Sequence, residues 1–175
     1  MAGKGSAYIE QVFRWAHAAD PDALLFYNDN GGETINPKSD AVYEMVQDFK
    51  SRGVPIDGVG LQMHVIDDLN LDFAGIAANI ARLTALGIQI HITELDVALP
   101  TDSNGNVRDI ADLARPAEIY RRIAQVCFAH PGFTAIQTWG FTDKYSWIHS
   151  RTKGAKGAAL LFDRNYAPKP AYVAL

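Results

Sequence analysis

Residues 72–95, DFAGIAANIARLTALGIQIHITEL, join an amphipathic helix to an apolar strand. Over 72–86 the apolar side chains recur at helical spacing, which places one face of the helix against a core. Those side chains are Phe73, Ile76, Ala77, Ile80 and Leu83. Gly87 follows as a residue that can end the helix. Residues 88–95 are mostly apolar and predict a buried strand, so this stretch indicates a helix packed on a sheet.

The same alternation of helix and strand extends along the chain in both directions. Three further strands are predicted at 23–28, 58–64 and 133–139. The remaining predicted helices cover 6–19, 37 to about 52, 116–129 and the closing segment 168–175. Strands that alternate with helices in this way form parallel sheets.

The first of these helices carries an apolar face of its own. Ile9, Val12, Phe13 and Ala16 repeat at helical spacing and are predicted to face inward. Trp15 is assigned to ordinary packing on the same helix.

The four repeated units indicate one partial α/β domain over residues 1–175, with no internal linker. Parallel βα units fit either an open doubly wound sheet or a (β/α)8 barrel. Neither GxGxxG nor GxxxxGK[ST] follows any predicted strand, which disfavours the nucleotide-binding open sheet. The sequence therefore favours a barrel segment of about four βα units.

Composition excludes several classes of function. The formal net charge is −4, and no run of Lys or Arg provides a surface for nucleic acid. No apolar stretch approaches the roughly 20 residues that span a bilayer, so no membrane partner is expected. Cys127 is the single cysteine, so no intrachain disulfide can form. The histidines show no metal-ligand spacing, and neither a metal nor another cofactor is predicted.

Polar side chains cluster where the predicted strands end, which is where barrel enzymes carry their chemistry. The strand-end residues are Asn28, Asp29, Gln62, His64, Glu94, Asp96, Trp139 and Asp143. Carboxylate, amide, imidazole and indole groups together suit a neutral ligand rich in hydroxyl groups. The sequence therefore predicts a sugar site.

Strand alternation places Glu94 and Asp96 on one side, as it does Gln62 and His64. A relay from Asp96 through His64 to Glu94 would orient Glu94 as a nucleophile. His64 could equally satisfy a buried polar network without chemistry. Glu94, in an otherwise apolar strand, must be paired or functional because an unpaired buried charge is costly. His91 is predicted on the face opposite Glu94 and is interpreted as structural.

Two tryptophans flank the loop after the fourth strand. Trp139 and Trp147 can present apolar ring faces to a pyranose while their N–H groups bond to hydroxyls. Tryptophan is also a common core residue, and that alternative stays open on spacing alone.

The sequence resembles glycoside hydrolase family 10, the β-1,4-xylanases, through five motifs in family order. They are LLFYND at 24–29, GVGLQMH at 58–64, HITELDV at 91–97, QTWGFTDKYSW at 137–147 and LLFDRNYAPKPAY at 160–172. The resemblance covers nearly the whole chain and corresponds to strands five to eight of the family's (β/α)8 barrel. It implies an extracellular enzyme that hydrolyses β-1,4-xylosidic bonds with retention and binds xylan or xylo-oligosaccharides.

The same resemblance assigns roles to individual residues. Glu94 matches the family nucleophile, Asp96 would support His64, and His64 and Gln62 would contact the sugar or the nucleophile. Asn28, Trp139 and Trp147 would bind substrate, with the two tryptophans lining the glycone subsites.

The chain departs from the family pattern at two places. The Asn28–Asp29 pair continues as Asn-Gly-Gly-Glu rather than as tyrosine and asparagine. The acid/base glutamate of the family closes strand four, and no such strand precedes residue 6; Glu33 and Glu44 are poor substitutes. We therefore expect a partner, either an N-terminal half-barrel or a second copy of this chain. The alternative function is an inactive half-barrel that binds xylo-oligosaccharide or only self-associates.

Overall fold

A computed structural model of the chain describes residues 7–175. The helices are α1 (Ala7–Ala19), α2 (Pro37–Ser51), α3 (Phe73–Thr84), α4 (Ala114–Phe128), α5 (Trp147–Arg151) and α6 (Pro170–Ala174). The strands are β1 (Phe26–Asp29), β2 (Gly58–Leu61), β3 (His64–Val65), β4 (Gln89–Val97), β5 (Leu99–Pro100), β6 (Phe133–Thr138) and β7 (Lys156–Gly157). The first helix was predicted from residue 6, which lies outside the described residues.

The main sheet is parallel throughout, as the alternation of strands and helices predicted. β1 pairs with β2, β2 and then β3 pair with β4, and β4 pairs with β6 on its other side. The short strands β5 and β7 form a separate antiparallel pair. The parallel order aligns the carboxyl ends of β1, β3, β4 and β6 along one edge of the sheet.

One face of the sheet is covered by helices. Ile90 and Ile92 of β4 are fully buried against α3 and α4, where they meet Ile80, Leu83 and Ile123. Complete burial of a large apolar side chain contributes about 1.5–3 kcal/mol, so this layer is the main source of stability. Cys127 belongs to the same core, and burial raises the pKa of its thiol to about 12.

Polar residues line the opposite face of the sheet. His91 stacks on Phe26 with ring centroids 4.1 Å apart, and its Nε2 lies 2.7 Å from Thr134 Oγ1. Gly58 makes room for Phe26, because a Cβ at position 58 would lie 2.1 Å from that ring. Burial lowers the pKa of His91.

Helix ends follow the local sequence. The Asn36 side chain accepts from the backbone N–H groups of Lys38 and Ser39 and so caps α2, and Asp72 caps α3 in the same way. After α3 the chain turns through Gly87 with φ 74°, a conformation that glycine adopts without strain.

The predicted inward face of α1 is only partly correct. Phe13 is buried, but Val12 is 54% exposed and Trp15, which was assigned to packing, is 65% exposed. Tyr8 lies on the same stripe and is also exposed. The helix has apolar side chains on two faces, and within residues 7–175 only one of them is covered. No helix in this part of the chain is long and apolar enough to cross a membrane.

Candidate active site

The end of β4 departs from regular strand geometry. Ile92 pairs with Ile136 and Leu95 with Thr138, so β4 fits one more residue than β6 into the same stretch. Such a bulge re-aims side chains. Leu95 enters the core, while Thr93 and Glu94 both reach Asn28.

The bulge corrects one prediction about β4. Simple alternation placed His91 and Glu94 on opposite faces. The extra residue turns Glu94 toward the face that carries Thr93 and His91. The prediction failed because alternation assumes an unbroken strand.

A second irregularity positions His64. The predicted strand 58–64 is broken after Leu61, because Met63 adopts the left-handed region with φ 63°. Glu33 holds this turn: its Oε1 accepts from the Met63 and Gly31 backbone N–H groups at 3.1 Å each. The chain then resumes as β3, where His64 lies opposite Asp96. Since its carboxylate bonds to backbone, Glu33 has a structural role.

The hydrogen bonds around Glu94 form one chain of contacts. Asn28 Nδ2 donates to Glu94 Oε1 at 2.8 Å, and His64 Nε2 lies 3.1 Å from Glu94 Oε2. His64 Nδ1 lies 3.1 Å from Asp96 Oδ1, and Trp147 Nε1 donates to Asp96 Oδ2 at 2.9 Å. The structure thus brings together five residues that the sequence singled out.

Burial and nearby charge act in opposite directions on the pKa of His64. Asp96 is fully buried, and Glu94 is 8% exposed at the carboxyl edge of the sheet. Burial lowers the pKa of His64, but its hydrogen bonds and charge attraction to Asp96 and Glu94 outweigh that effect, so its pKa lies above 6.5. When His64 is protonated both ring nitrogens donate, one to each carboxylate. Glu94 is therefore a carboxylate held by two donors and still open to one side.

The two tryptophans differ in the exposure of their rings and in the bonding of their indole N–H groups. Trp139 is 49% exposed and its ring lies edge-on to His64, with centroids 6.4 Å apart. Trp147 packs closer to His64, at 5.0 Å, and its N–H group is bonded to Asp96. The prediction that both N–H groups bond to sugar hydroxyls is therefore wrong for Trp147.

Gln62 contributes its backbone to the site. Its N–H donates to Asp29 O and its carbonyl accepts from Glu94 N, both at 3.1 Å, which ties β1 to β4. In the part of the chain that the structure describes, its side chain makes no hydrogen bond to another residue.

Two of the strand-end carboxylates lie outside the cluster. Asp29 pairs with Lys38 at 2.8 Å and accepts from Tyr27. Asp143 is buried and pairs with Lys169 at 2.7 Å, and it also accepts from the Leu160 N–H. The expectation that all four strand ends converge is wrong at these two residues, because each finds a closer structural partner.

The sequence interpretation missed Thr93 and Gly60, which both touch Asn28. Thr93 Oγ1 donates to Asn28 Oδ1 at 2.7 Å, and a Cβ at Gly60 would lie 2.6 Å from the same oxygen. Thr93 was missed because neighbouring residues of a regular strand point to opposite faces, which would place Thr93 away from Glu94. Glycines at alternate positions in GVG of β2 are the signal that indicates close approach of neighbouring side chains.

The geometry provides no metal centre among residues 7–175, where no group of three His, Cys, Asp or Glu side chains is arranged to hold an ion. What the cluster can do is present one oriented carboxylate to a bound ligand. A carboxylate of this kind can act as a nucleophile at a carbon centre.

Comparison with known proteins identifies relatives over nearly the whole chain. The model described as glycosyl hydrolase family 10 matches residues 1–175. Endo-1,4-beta-xylanase B of Thermotoga neapolitana is 48% identical over 171 residues, which are 98% of this chain and 48% of that protein. Endo-1,4-beta-xylanase A of Thermoanaerobacterium saccharolyticum is 39% identical over 98% of this chain and 14% of its own length.

Solved structures agree with these relatives. Xylanase 10B from Thermotoga petrophila RKU-1, in complex with xylobiose, superposes with a TM-score of 0.89 at 48% identity. The match covers 97% of this chain and 50% of that one. The chain thus spans about half the length, or less, of the relatives and structures it matches, and its strands correspond to the C-terminal half of a (β/α)8 barrel.

Proposed function

Because this chain belongs to glycosyl hydrolase family 10, we propose that it carries the nucleophile half of an endo-1,4-β-xylanase active site. The reaction is hydrolysis of β-1,4-xylosidic bonds with retention of configuration. Glu94 attacks the anomeric carbon, and water later releases the sugar from the glycosyl ester.

One observation carries this proposal: the Glu94 carboxylate is held between Asn28 and His64 near the carboxyl end of β4, where the parallel strands end. Two donors hold the carboxylate in one orientation, which reduces the entropy lost when the reacting atoms meet. They also stabilise the carboxylate when it departs from the sugar. Asp96 keeps the His64 ring in place from behind.

The proposal requires a second carboxyl group about 5–5.5 Å from the nucleophile, to protonate the leaving oxygen. Asp96 cannot reach a sugar, since it is fully buried and bonded to His64 and Trp147. Glu33 is engaged by backbone N–H groups, and Glu44 is exposed on α2. We therefore propose that the acid/base glutamate comes from strands that are not among residues 7–175.

The edges of the sheet support this view. Within the described residues, β1 and β6 each pair on one side only. Helix α1, which packs on α2 through Phe13 and Phe49, exposes Tyr8, Val12 and Trp15, and helix α6, which packs on α4, exposes Tyr172 and Val173. Open strand edges and exposed apolar helix faces are surfaces that further βα units would cover.

We propose that four N-terminal βα units of the family barrel occupy both edges, with a second copy of this chain as the alternative. Light scattering tests either form of closure, because the isolated chain should associate. A well-folded monomer at low concentration would contradict both.

Substrate binding is assigned by the exposed groups of the site and by the relatives. The xylanase of Thermotoga petrophila, which is 48% identical to this chain, was solved in complex with xylobiose. The half-exposed ring of Trp139 beside His64 offers an apolar platform to a pyranose. The second candidate, a half-barrel that binds xylo-oligosaccharide without turnover, follows from the same platform if the acid never joins the site.

Complementation tests the proposal. This chain is mixed with a polypeptide that carries the first four βα units of the Thermotoga neapolitana xylanase, and a 1:1 complex is isolated by size exclusion. The complex should release xylo-oligosaccharides from xylan with the β-anomer formed first in proton NMR, and Glu94→Gln should abolish release. An α-anomer formed first, or full activity in Glu94→Gln, would refute the assignment. Binding of xylobiose without release would favour the second candidate.

A further inference from the structure

Thr93 and Asn28 form a contact that the reaction scheme above does not use. Thr93 Oγ1 donates to Asn28 Oδ1 at 2.7 Å, while Asn28 Nδ2 donates to Glu94 Oε1 at 2.8 Å. The amide therefore has both ends engaged. The Thr93 hydroxyl has Leu61 O at 3.4 Å as its other acceptor, so its short bond to Oδ1 favours the amide orientation that leaves Nδ2 facing Glu94. We infer that Thr93 is a positioning residue that orients Asn28 against the nucleophile. The inference rests on the proposed function, because it assigns Glu94 that role.

The need for this contact increases during the reaction. A side-chain amide has two ends of nearly equal size, a donor and an acceptor. In the resting site Glu94 attracts the donor end while the Thr93 hydroxyl holds the acceptor end, so the two contacts fix the orientation together. Once Glu94 has formed a bond to the anomeric carbon, its negative charge is gone and this attraction weakens. Thr93 still bonds to Oδ1 at that stage and keeps the NH2 group directed at Glu94.

The fold is arranged so that this contact can form. The bulge in β4 brings the consecutive side chains of Thr93 and Glu94 within hydrogen-bonding distance of the same Asn28 amide. The alternative acceptor for the hydroxyl, Leu61 O, lies farther away at 3.4 Å. Gly60 provides the space, since a Cβ there would lie 2.6 Å from Asn28 Oδ1 and 2.8 Å from Thr93 Cγ2. Any side chain at position 60 would displace one of the two partners.

Three variants separate the hydroxyl from the shape of the side chain. Thr93→Val keeps the shape and removes the donor, and Thr93→Ser restores the donor. Thr134→Val is the matched control, because Thr134 lies on the same face of the sheet and its hydroxyl contacts His91 and Gln89 rather than Asn28.

The first measurement is the rate of covalent labelling by a 2-fluoro xylobioside with a dinitrophenolate leaving group, which needs no acid. Loss of one orienting hydrogen bond should lower the rate in Thr93→Val by about tenfold, with Thr93→Ser and Thr134→Val within about threefold of the wild-type chain. An unchanged rate in Thr93→Val would overturn the inference, as would an equal loss in Thr93→Ser.

The second measurement does not depend on the reaction. In 15N NMR spectra of the full chain, proton exchange of the Asn28 side-chain amide should be faster in Thr93→Val by about tenfold and near wild-type in Thr93→Ser. If the wild-type chain is not labelled, the proposed function fails for this chain while amide exchange still decides the role of Thr93. Equal exchange in all four proteins would refute it.

Discussion

Two buried carboxylates that the sequence singles out have different environments in this molecule. Glu94 and Asp143 are each less than a tenth exposed; Glu94 lies within β4, and Asp143 follows β6. Glu94 is bonded to an amide and an imidazole, and it lies near the carboxyl end of β4. Asp143 is bonded to Lys169 and to the Leu160 N–H, enclosed by the segment 158–171.

The difference shows what separates a reactive carboxylate from a structural one. Lys169 gives Asp143 a full opposite charge and also donates to Ala158 O, so all partners are used in holding the fold. Burial nevertheless raises the pKa of Asp143 and lowers that of Lys169, which marks the cost of enclosing the pair. Glu94 has weaker partners that leave one side open, which suits a group that must gain and lose a bond.

The largest effect is expected where the structural pair is broken. Lys169→Met leaves Asp143 buried without its cation and should lower the free energy of unfolding by about 3–5 kcal/mol. Urea unfolding followed by circular dichroism measures this. Arg121→Met, which removes the exposed Glu118–Arg121 pair on α4, is the control and should leave the midpoint unchanged. Equal midpoints for the two variants would show that the buried pair contributes nothing.

An intermediate loss in the free energy of unfolding is expected when the hydrogen bond between Trp147 and Asp96 is removed. Trp147→Phe removes the N–H donor to fully buried Asp96 and should cost about 1.5–3 kcal/mol, the range for a hydrogen bond to a charged group. Trp139→Phe, at a half-exposed ring that makes no such bond, should cost less. The same urea titration checks both. A larger loss for Trp139→Phe would reverse the roles given to the two rings.

The smallest effect concerns the pH dependence of the reactive site. The pKa of His64 is raised above 6.5, so its protonated form stabilises the fold fully below about pH 6.5, and this stabilisation is lost as pH rises through the raised folded-state pKa. Proton NMR titration of the His64 ring should give a midpoint above 6.5. Asp96→Asn removes the stronger attraction and should lower the midpoint. An unchanged midpoint in Asp96→Asn would contradict the assigned cause.

Local pattern in the sequence was sufficient for most of the fold. The four βα units and the proximity of Asp96, His64 and Glu94 follow from helical periodicity and from the rule that parallel strands end at one edge. The bulge at Thr93 did not follow, because it depends on the register of β4 against β6. The pairing of Asp143 with Lys169 and the bond from Trp147 to Asp96 join residues 26 and 51 positions apart, beyond the reach of local pattern.

The prediction of the buried face of α1 was only partly correct for a related reason. Periodicity identifies apolar faces but does not say which of two faces a neighbour covers. Val12 and Trp15 are exposed while Phe13 is buried, although all three are large apolar side chains on the same helix.

Covalent trapping tests the central assignment most directly. The chain is incubated with the 2-fluoro xylobioside carrying dinitrophenolate, then analysed by intact mass and peptide mapping, with Glu94→Gln as control. We predict a single adduct on Glu94 that is absent from the Glu94→Gln variant. Absence of any adduct, or an adduct on Asp96 or Glu33 instead, would contradict the assignment of Glu94 as the nucleophile.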